Sequence, residues 1–82
     1  MAKNGLTESV VRSPDQLGAS LLRFRKQAPW TQQQVGERSG IKQSMVSQVE
    51  AGTPGTWLGT LFKLLAALDL ELVVRHRQKT LS

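Results

Sequence analysis

Hydrophobic residues recur at helical spacing near the start of the chain. They lie three or four residues apart: Leu17, Leu21, Phe24 and Ala28. This spacing predicts one amphipathic helix. The helix is expected to begin at Ser13, which can cap it, with Pro14 in the first turn and Gln16 completing a capping box. It is expected to end just before Pro29, which disfavours the helical conformation in the preceding residue. Residues 1–12 show little pattern and are predicted to form a flexible arm.

Two shorter helices are predicted next, with a tight turn between them. Thr31 can cap the first of the two, with Gln34 as its reciprocal partner. Gly40 is expected to end it, because glycine adopts the left-handed conformation at little cost. The second runs from about residue 42 to 51 and stops before Gly52. Small and apolar residues are expected to pack these two helices together: Val35, Gly36, Ile41, Val46 and Val49.

A fourth helix is predicted over about residues 56–68. Its predicted apolar stripe consists of Leu58, Leu61, Phe62, Leu65 and Leu68. Trp57 and Leu64 are predicted to lie off this stripe, where they leave apolar surface for another partner. Gly59, inside the helix, is expected to weaken its first turns because glycine is a poor helix former.

Residues 70–77 alternate between two sets of side chains and include β-branched valines. This pattern predicts a β-strand, which has no pairing strand in an otherwise helical chain. The same strand from a second copy is the simplest partner, so a two-fold homodimer is predicted. The dimerisation residues are then Leu70, Leu72, Val73 and Val74. The alternative is a frayed extended tail. The predicted organisation is an arm at 1–12, a helical domain at 13–69, a dimerisation strand at 70–77 and a tail at 78–82.

Size and composition narrow the classes of function. The 82 residues fit one domain, whose small core would gain from dimerisation. There is no cysteine and one histidine, His76, so neither disulfides nor a metal site is expected, and no cofactor is predicted. No apolar run is long enough to cross a bilayer, and residues 1–5 lack the apolar segment of a signal peptide. A reducing, cytoplasmic location is therefore predicted.

No set of side chains in the sequence is typical of an enzyme. The serine and acidic residues form no nucleophile–base pattern with His76, so no catalytic residue and no enzymatic activity are predicted. The net charge of +5 attracts polyanions without choosing among them. RNA is disfavoured because stacking aromatics are few, and Trp30, Phe24 and Phe62 are predicted to lie in the core.

The predicted third helix carries a row of uncharged polar side chains opposite its valines. The row consists of Gln43, Ser44, Ser47 and Gln48. Glutamine can form paired hydrogen bonds with adenine, and serine can bond several bases, so the row predicts base readout in the major groove of DNA. Lys42, just before the row, is predicted to reach a guanine or a phosphate. For any one of these side chains alone, the alternative is simple solvation.

Contacts to the DNA backbone are predicted on either side of this row. Thr31 and Gln32 lie at the start of the second helix, where the Gln32 side chain and nearby backbone amides are expected to be free for a phosphate. Arg23 and Lys26 lie at the end of the first helix, where they either stabilise the negative helix end or bind phosphate. A basic tail is expected to be solvated first and a phosphate contact second: Arg75, Arg77 and Lys79.

These residues resemble the helix-turn-helix family of lambda-type repressors and xenobiotic-response-element (XRE) regulators. The matching positions are Thr31, Gln32, Gly36, Gly40, Gln43, Ser44, Val46, Ser47, Glu50 and Gly52. The resemblance implies an all-α, lambda-repressor-like bundle of four or five helices, whose third helix reads the major groove. It also implies a buried ion pair between Arg25 of the first helix and Glu50 at the end of the third.

A narrower resemblance, over residue 13 to about 74, is to the HipB antitoxins. The segments that carry it are Ser13–Leu17, Trp30–Gln32, Gly40–Gln43 and Leu61–Leu65, followed by the short strand. It implies a dimeric repressor that binds a pseudo-palindromic operator, represses its own operon and binds a HipA-type Ser/Thr kinase toxin. The alternatives are a stand-alone XRE-family regulator and a kinase-inhibiting interaction module that binds DNA only weakly.

Overall fold

The computed structural model describes residues 7–78 of the chain, which contain four α-helices. The helices are α1 (Pro14–Gln27), α2 (Gln32–Ser39), α3 (Gln43–Glu50) and α4 (Leu58–Ala67). Each begins and ends within about two residues of its predicted bounds, so the predicted all-α helix-turn-helix fold is confirmed. Residues 70–78 form neither helix nor strand in the single chain. The predicted strand and its pairing with a second copy therefore stay predictions.

Local hydrogen bonds explain where the first two helices begin. Ser13 Oγ accepts from the Gln16 amide at 3.1 Å, but the Gln16 side chain accepts from the Arg12 amide instead of the Ser13 amide. The predicted capping box of α1 is thus only half formed. The capping box of α2 is complete, since Thr31 Oγ1 accepts from the Gln34 amide at 3.0 Å and Gln34 Oε1 accepts from the Thr31 amide at 2.9 Å.

Part of the N-terminal arm lies against α1. The hydroxyls of Ser9 and Ser20 are 2.6 Å apart, and Val11 is half-buried. The amide of Arg12 donates to the side chain of Gln16 in the first turn. These contacts hold residues 9–12 beside the helix, while residues 1–6 lie outside the described part of the chain. The domain boundary at residue 12 stays a prediction.

The core lies between α3 and its neighbours. Its buried members come from all four helices: Leu21, Val35, Val46, Val49, Leu61, Leu64 and Leu65. The backbones approach closely at two glycines. A Cβ on Gly18 of α1 would overlap the carbonyl oxygen of Val49, and one on Gly36 of α2 would lie 2.8 Å from the carbonyl oxygen of Ile41. The end of α3 therefore rests on α1, and the turn into α3 rests on α2.

The predicted buried stripe of α4 is partly wrong. Leu64, which was predicted to lie off the stripe, is only 2% exposed, whereas Leu58 and Phe62 are 68% and 50% exposed. Phe62 is therefore not a core residue. The cause is that α4 is apolar on nearly all sides, so its spacing alone could not select a face. The helix packs on α2, and this contact buries the side that carries Leu61, Leu64 and Leu65.

The end of α4 is fixed by a residue with a left-handed backbone. Asp69 has φ +59, the one non-glycine residue with positive φ in the described part of the chain. The Leu70 amide donates to the Leu65 carbonyl at 2.7 Å, and the Asp69 amide donates to the Ala66 carbonyl at 3.1 Å. This is a Schellman motif, in which glycine is the usual residue at the Asp69 position. It turns the chain sharply out of α4 and brings Leu70 against the core.

We expect Asp69→Gly to stabilise the fold by about 0.5–1 kcal/mol, because glycine adopts the left-handed conformation without a Cβ penalty. It also removes a negative charge from the negative end of the helix. Urea denaturation followed by circular dichroism measures the change. Asp69→Ala is the matched control, since it removes the charge but keeps the Cβ. An equal gain from Asp69→Ala would assign the effect to charge and not to backbone conformation.

Candidate nucleic-acid interface

The turn between α2 and α3 sets which side of α3 meets solvent. Gly40 ends α2 with φ 79, and its amide donates to the Gly36 carbonyl at 2.8 Å. The chain then enters α3 with Val46 and Val49 in the core. The opposite side of α3 is exposed at all four members of the predicted polar row: Gln43, Ser44, Ser47 and Gln48. The prediction that these side chains face outward while the valines face inward is confirmed.

The polar row keeps its hydrogen-bonding groups available. Within residues 7–78, none of the four side chains hydrogen-bonds to the protein. Lys42, the N-cap residue of α3, is also exposed and gives the helix no side-chain cap. The result is a ridge of amide and hydroxyl groups with one cation at its start. Such a ridge can form hydrogen bonds with the edges of base pairs.

A buried ion pair joins α1 to the end of α3. Arg25 Nε donates to Glu50 Oε2 at 2.6 Å, and Arg25 Nη2 donates to Glu50 Oε1 at 2.9 Å. The two side chains are only 10% and 7% exposed. Arg25 Nη1 donates to the Trp30 carbonyl at 2.8 Å, so every nitrogen of the guanidinium is used. The ion pair implied by the resemblance is therefore present, and it also holds the loop before α2.

Gln32 does not have the free side chain that the sequence predicted. Its Nε2 donates to Glu50 Oε1 at 2.9 Å, which joins the start of α2 to the same carboxylate. Thr31 is exposed, and its hydroxyl oxygen already accepts from the Gln34 amide. Among the described residues, the backbone amides of Gln32 and Gln33 have no bonded acceptor. At the start of α2, the groups available to bind an anion are therefore mainly backbone amides, because the side chains of Thr31 and Gln32 already have partners.

The ion pair changes the acid–base behaviour of Arg25 in one direction. Hydrogen bonding to Glu50 raises the pKa of Arg25 above its ordinary value, and the negative charge of Glu50 adds to this, while burial acts in the opposite sense. A raised pKa means that the charged guanidinium is favoured in the folded state. Its stabilising contribution is complete below the ordinary pKa of arginine and is lost only in strongly alkaline solution.

The other predicted cations that the structure describes are exposed. Arg75 and Arg77 belong to the predicted basic tail, whose Lys79 lies outside the described residues. Arg23 and Lys26 are both exposed near the end of α1, which is consistent with either of their predicted roles.

Arg38, which the sequence did not single out, stacks on Trp30 with its guanidinium carbon 4.0 Å from the ring centroid. Its Nε also donates to the Ala67 carbonyl at 3.3 Å, at the end of α4. No local sequence pattern predicts this contact, because Arg38, Trp30 and Ala67 are separated along the chain.

Other kinds of site find little support in the described residues. No group of three or more His, Cys, Asp or Glu side chains within residues 7–78 could hold a metal ion. His76 is exposed. In that same span, no helix combines the length and the apolarity needed to cross a bilayer.

Comparisons with known proteins agree with the geometry. Residues 21–74 match the HTH_3 helix-turn-helix family. The antitoxin HipB of Escherichia coli K12 is 36% identical over 64 residues, which cover 78% of this chain and 73% of that protein. A chain of the solved HipA-HipB-O2-O3 complex superposes with a TM-score of 0.80 at 32% identity, covering 87% of this chain and all of that one. The HipB-O4 20mer complex gives a TM-score of 0.81 with the same identity and coverage.

We expect Glu50→Gln to destabilise the fold by about 3 kcal/mol, because it leaves the buried Arg25 guanidinium without its counter-charge. Urea denaturation at neutral pH measures this loss. Glu37→Gln is the control, since it makes the same chemical change at an exposed position of α2 and should alter stability by less than about 0.5 kcal/mol. Similar losses in the two variants would show that the ion pair does not hold the fold together.

Proposed function

The chain belongs to the helix-turn-helix family that includes the HipB antitoxins, and from this we propose that it is a dimeric, sequence-specific DNA-binding repressor. The observation that carries the proposal is the exposed polar row of α3, opposite the buried Val46 and Val49. In a helix-turn-helix protein this side of the second helix of the motif enters the major groove. Gln43, Ser44, Ser47 and Gln48 would then contact base edges.

Phosphate contacts would fix the position of α3 in the groove. The free amides of Gln32 and Gln33 lie at the positive end of α2, where a phosphate oxygen would accept from them. The hydroxyl of Thr31 can still donate to a phosphate oxygen, although it also serves as an acceptor in the cap. Lys42, and the exposed Arg23 and Lys26 of α1, would add charge to these contacts.

The Gln32 side chain would act by positioning the other groups. Its bond to Glu50 connects the start of α2, which meets phosphate, with the end of α3, which meets bases. Arg25 holds that carboxylate from the opposite side. The angle between the phosphate-binding amides and the base-reading row is therefore fixed before DNA arrives. Such preorganisation reduces the entropy lost on binding.

We further propose that the protein is the antitoxin of a HipA-type Ser/Thr kinase and represses the operon that encodes both. This is supported by its similarity to HipB over most of both chains and to a chain of the solved HipA-HipB-O2-O3 complex. The chain itself would have no enzymatic activity and would act in the cytoplasm. A gel shift on the DNA upstream of its own gene, with and without the product of the neighbouring gene, tests this. A complex with DNA that the neighbouring product neither joins nor alters would favour a stand-alone regulator.

We expect Gln43→Ala and Ser44→Ala each to weaken binding to a preferred duplex by about 1–3 kcal/mol, because each removes hydrogen bonds to one base pair. The duplex is one selected by the wild-type chain from a randomised pool, and fluorescence anisotropy gives the affinity. The control is a scrambled duplex of the same composition, on which both variants should bind as the wild type does. Equal losses on the two duplexes would contradict base readout.

We expect Lys42→Ala to lower the slope of log affinity against log salt concentration by about one if its ammonium group neutralises a phosphate. Titrations of the selected duplex at several salt concentrations measure this slope. Lys63→Ala, which removes an exposed lysine from α4, outside the helix pair α2 and α3, should leave the slope unchanged. A Lys42→Ala variant with an unchanged slope but altered base preference would instead place Lys42 on a guanine.

A further inference from the structure

The side chain of Arg38 connects α2 with α4 and with the loop that precedes α2. Its guanidinium carbon lies 4.0 Å from the centroid of the Trp30 ring, and its Nε donates to the Ala67 carbonyl at 3.3 Å. Arg38 is exposed, and its other two guanidinium nitrogens have no hydrogen-bond partner among the described residues. A planar guanidinium that stacks on a ring and also donates a hydrogen bond is held in one orientation. Arg38 is therefore an exposed cation with a fixed position.

The bond to Ala67 completes the backbone hydrogen bonding at the end of α4. The last four carbonyls of a helix have no partner within the helix. In α4, three of these carbonyls accept from the backbone amides of the residues that follow, which are Leu68, Asp69 and Leu70. The fourth belongs to the buried Ala67, and Arg38 donates to it. A buried carbonyl requires a donor, and a cation is favoured at the negative end of a helix, so both effects hold Arg38 in this place.

Trp30 is held from another direction by Arg25. The Trp30 carbonyl accepts from Arg25 Nη1 at 2.8 Å, and the Trp30 amide donates to the Arg25 carbonyl at 3.1 Å. Trp30 also packs against the hydrophobic core. It directly precedes Thr31, the N-cap of α2, after which come the free amides of Gln32 and Gln33. The position of Trp30 therefore sets where the first turn of α2 presents those amides.

We propose that Arg38 is a positioning residue for DNA binding. It ties the ring of Trp30 to the end of α4, and it thereby fixes the start of α2 relative to the rest of the domain. The amides at that start are the ones that bind phosphate in the proposed function. The inference rests on that function and names a residue that supports its phosphate site without touching DNA.

The geometry favours this role over a direct contact between Arg38 and phosphate. Arg38 lies in the last turn of α2, whereas the amides that would meet phosphate lie in its first turn. The Nε and the plane of the guanidinium are already engaged by Ala67 and Trp30. The carbonyl end of α4 beside the guanidinium carries partial negative charge, which disfavours a phosphate at this place.

The test compares Arg38→Met and Arg38→Lys with wild type by fluorescence anisotropy on the selected duplex. Methionine keeps an apolar stem over Trp30 but removes the charge and the bond to Ala67, whereas lysine keeps the charge and loses the planar guanidinium. Both variants should bind about three- to tenfold more weakly, the loss expected when one hydrogen bond to DNA is weakened. The slope of log affinity against log salt concentration should stay as in wild type, because no phosphate loses a cation.

Lys63→Met is the matched control. Lys63 lines the same cleft as Arg38 and Ala67, so this variant loses the same charge in the same place but keeps the contact between Arg38 and Trp30. It should bind DNA as the wild type does. A double-mutant cycle with Trp30→Leu, which removes the ring but keeps an apolar side chain, adds a second measurement. If Arg38 acts through Trp30, Arg38→Met should weaken binding by less than about twofold once the ring is gone.

Three results on DNA would overturn the inference. Wild-type affinity in Arg38→Lys, with a slope lowered by about one in Arg38→Met, would make Arg38 a direct phosphate contact. Full additivity in the cycle would show that Arg38 does not act through Trp30. Wild-type affinity in both Arg38 variants would show that the start of α2 needs no such support. Circular dichroism checks folding, and if Arg38→Met unfolds, Arg38→Lys decides alone: weaker binding at an unchanged slope supports the inference, and wild-type affinity overturns it.

Amide hydrogen exchange without DNA separates this inference from the proposed function. The Val35 amide donates to the Thr31 carbonyl at 3.0 Å and therefore reports on the first turn of α2. Its exchange should become at least about fivefold faster in Arg38→Met, while exchange of the Val46 amide in α3 stays unchanged. This result in a chain without base preference would refute the proposed function but leave the link between Arg38 and α2 standing. Base preference in wild type, with exchange and affinity unaffected in Arg38→Met, would do the reverse.

Discussion

The guanidinium of Arg25 and the carboxylate of Glu50 meet at the point where three helices come together. Arg25 belongs to α1, Glu50 ends α3, and the shared bonds reach Trp30 and Gln32 at the entry to α2. Every nitrogen of Arg25 has an acceptor, so the cost of burying the charges is offset by a complete set of hydrogen bonds. This pair therefore does more than bring two side chains together: it fixes the orientation of α3 relative to α2.

That orientation decides whether a row of polar side chains can act as a reading surface. Amide and hydroxyl groups distinguish base pairs only when the helix is held at a constant depth and angle in the groove. The close backbone contact at Gly36 places the start of α3, and the contact at Gly18 places its end, which the ion pair also holds. The exposed polar side of α3 is then left without hydrogen-bond partners among the described residues. Sequence-specific binding requires polar groups that are free to bond with bases and that are held in place by a rigid support.

The surface of α4 differs from that of α3, because its exposed residues are mainly apolar. Here the core is completed by Leu61, Leu64 and Leu65, and Arg38 bridges Trp30 and the last turn of the helix. The helix nevertheless leaves Leu58 and Phe62 in solvent, and apolar residues after the turn at Asp69, such as Val73 and Val74, are also exposed. A chain of this size buries little surface by itself, so association can add a substantial part of its stability. The exposed polar row of α3 and the exposed apolar residues of α4 thus lie on different helices of one small domain.

The sequence by itself determined the features that depend on neighbours within four residues. Helix caps act locally, so the sequence located the starts of α1 and α2 at Ser13 and Thr31 and the end of α2 at Gly40. The helical period separated the polar row of α3 from Val46 and Val49. Only the tertiary structure decided the rest. It selected the buried side of α4, because that helix is apolar on nearly every side and the spacing of its apolar residues therefore does not single out one face. It also gave Gln32 and Arg38 their partners, because Glu50 and Ala67 lie 18 and 29 residues away along the chain and only packing brings them close.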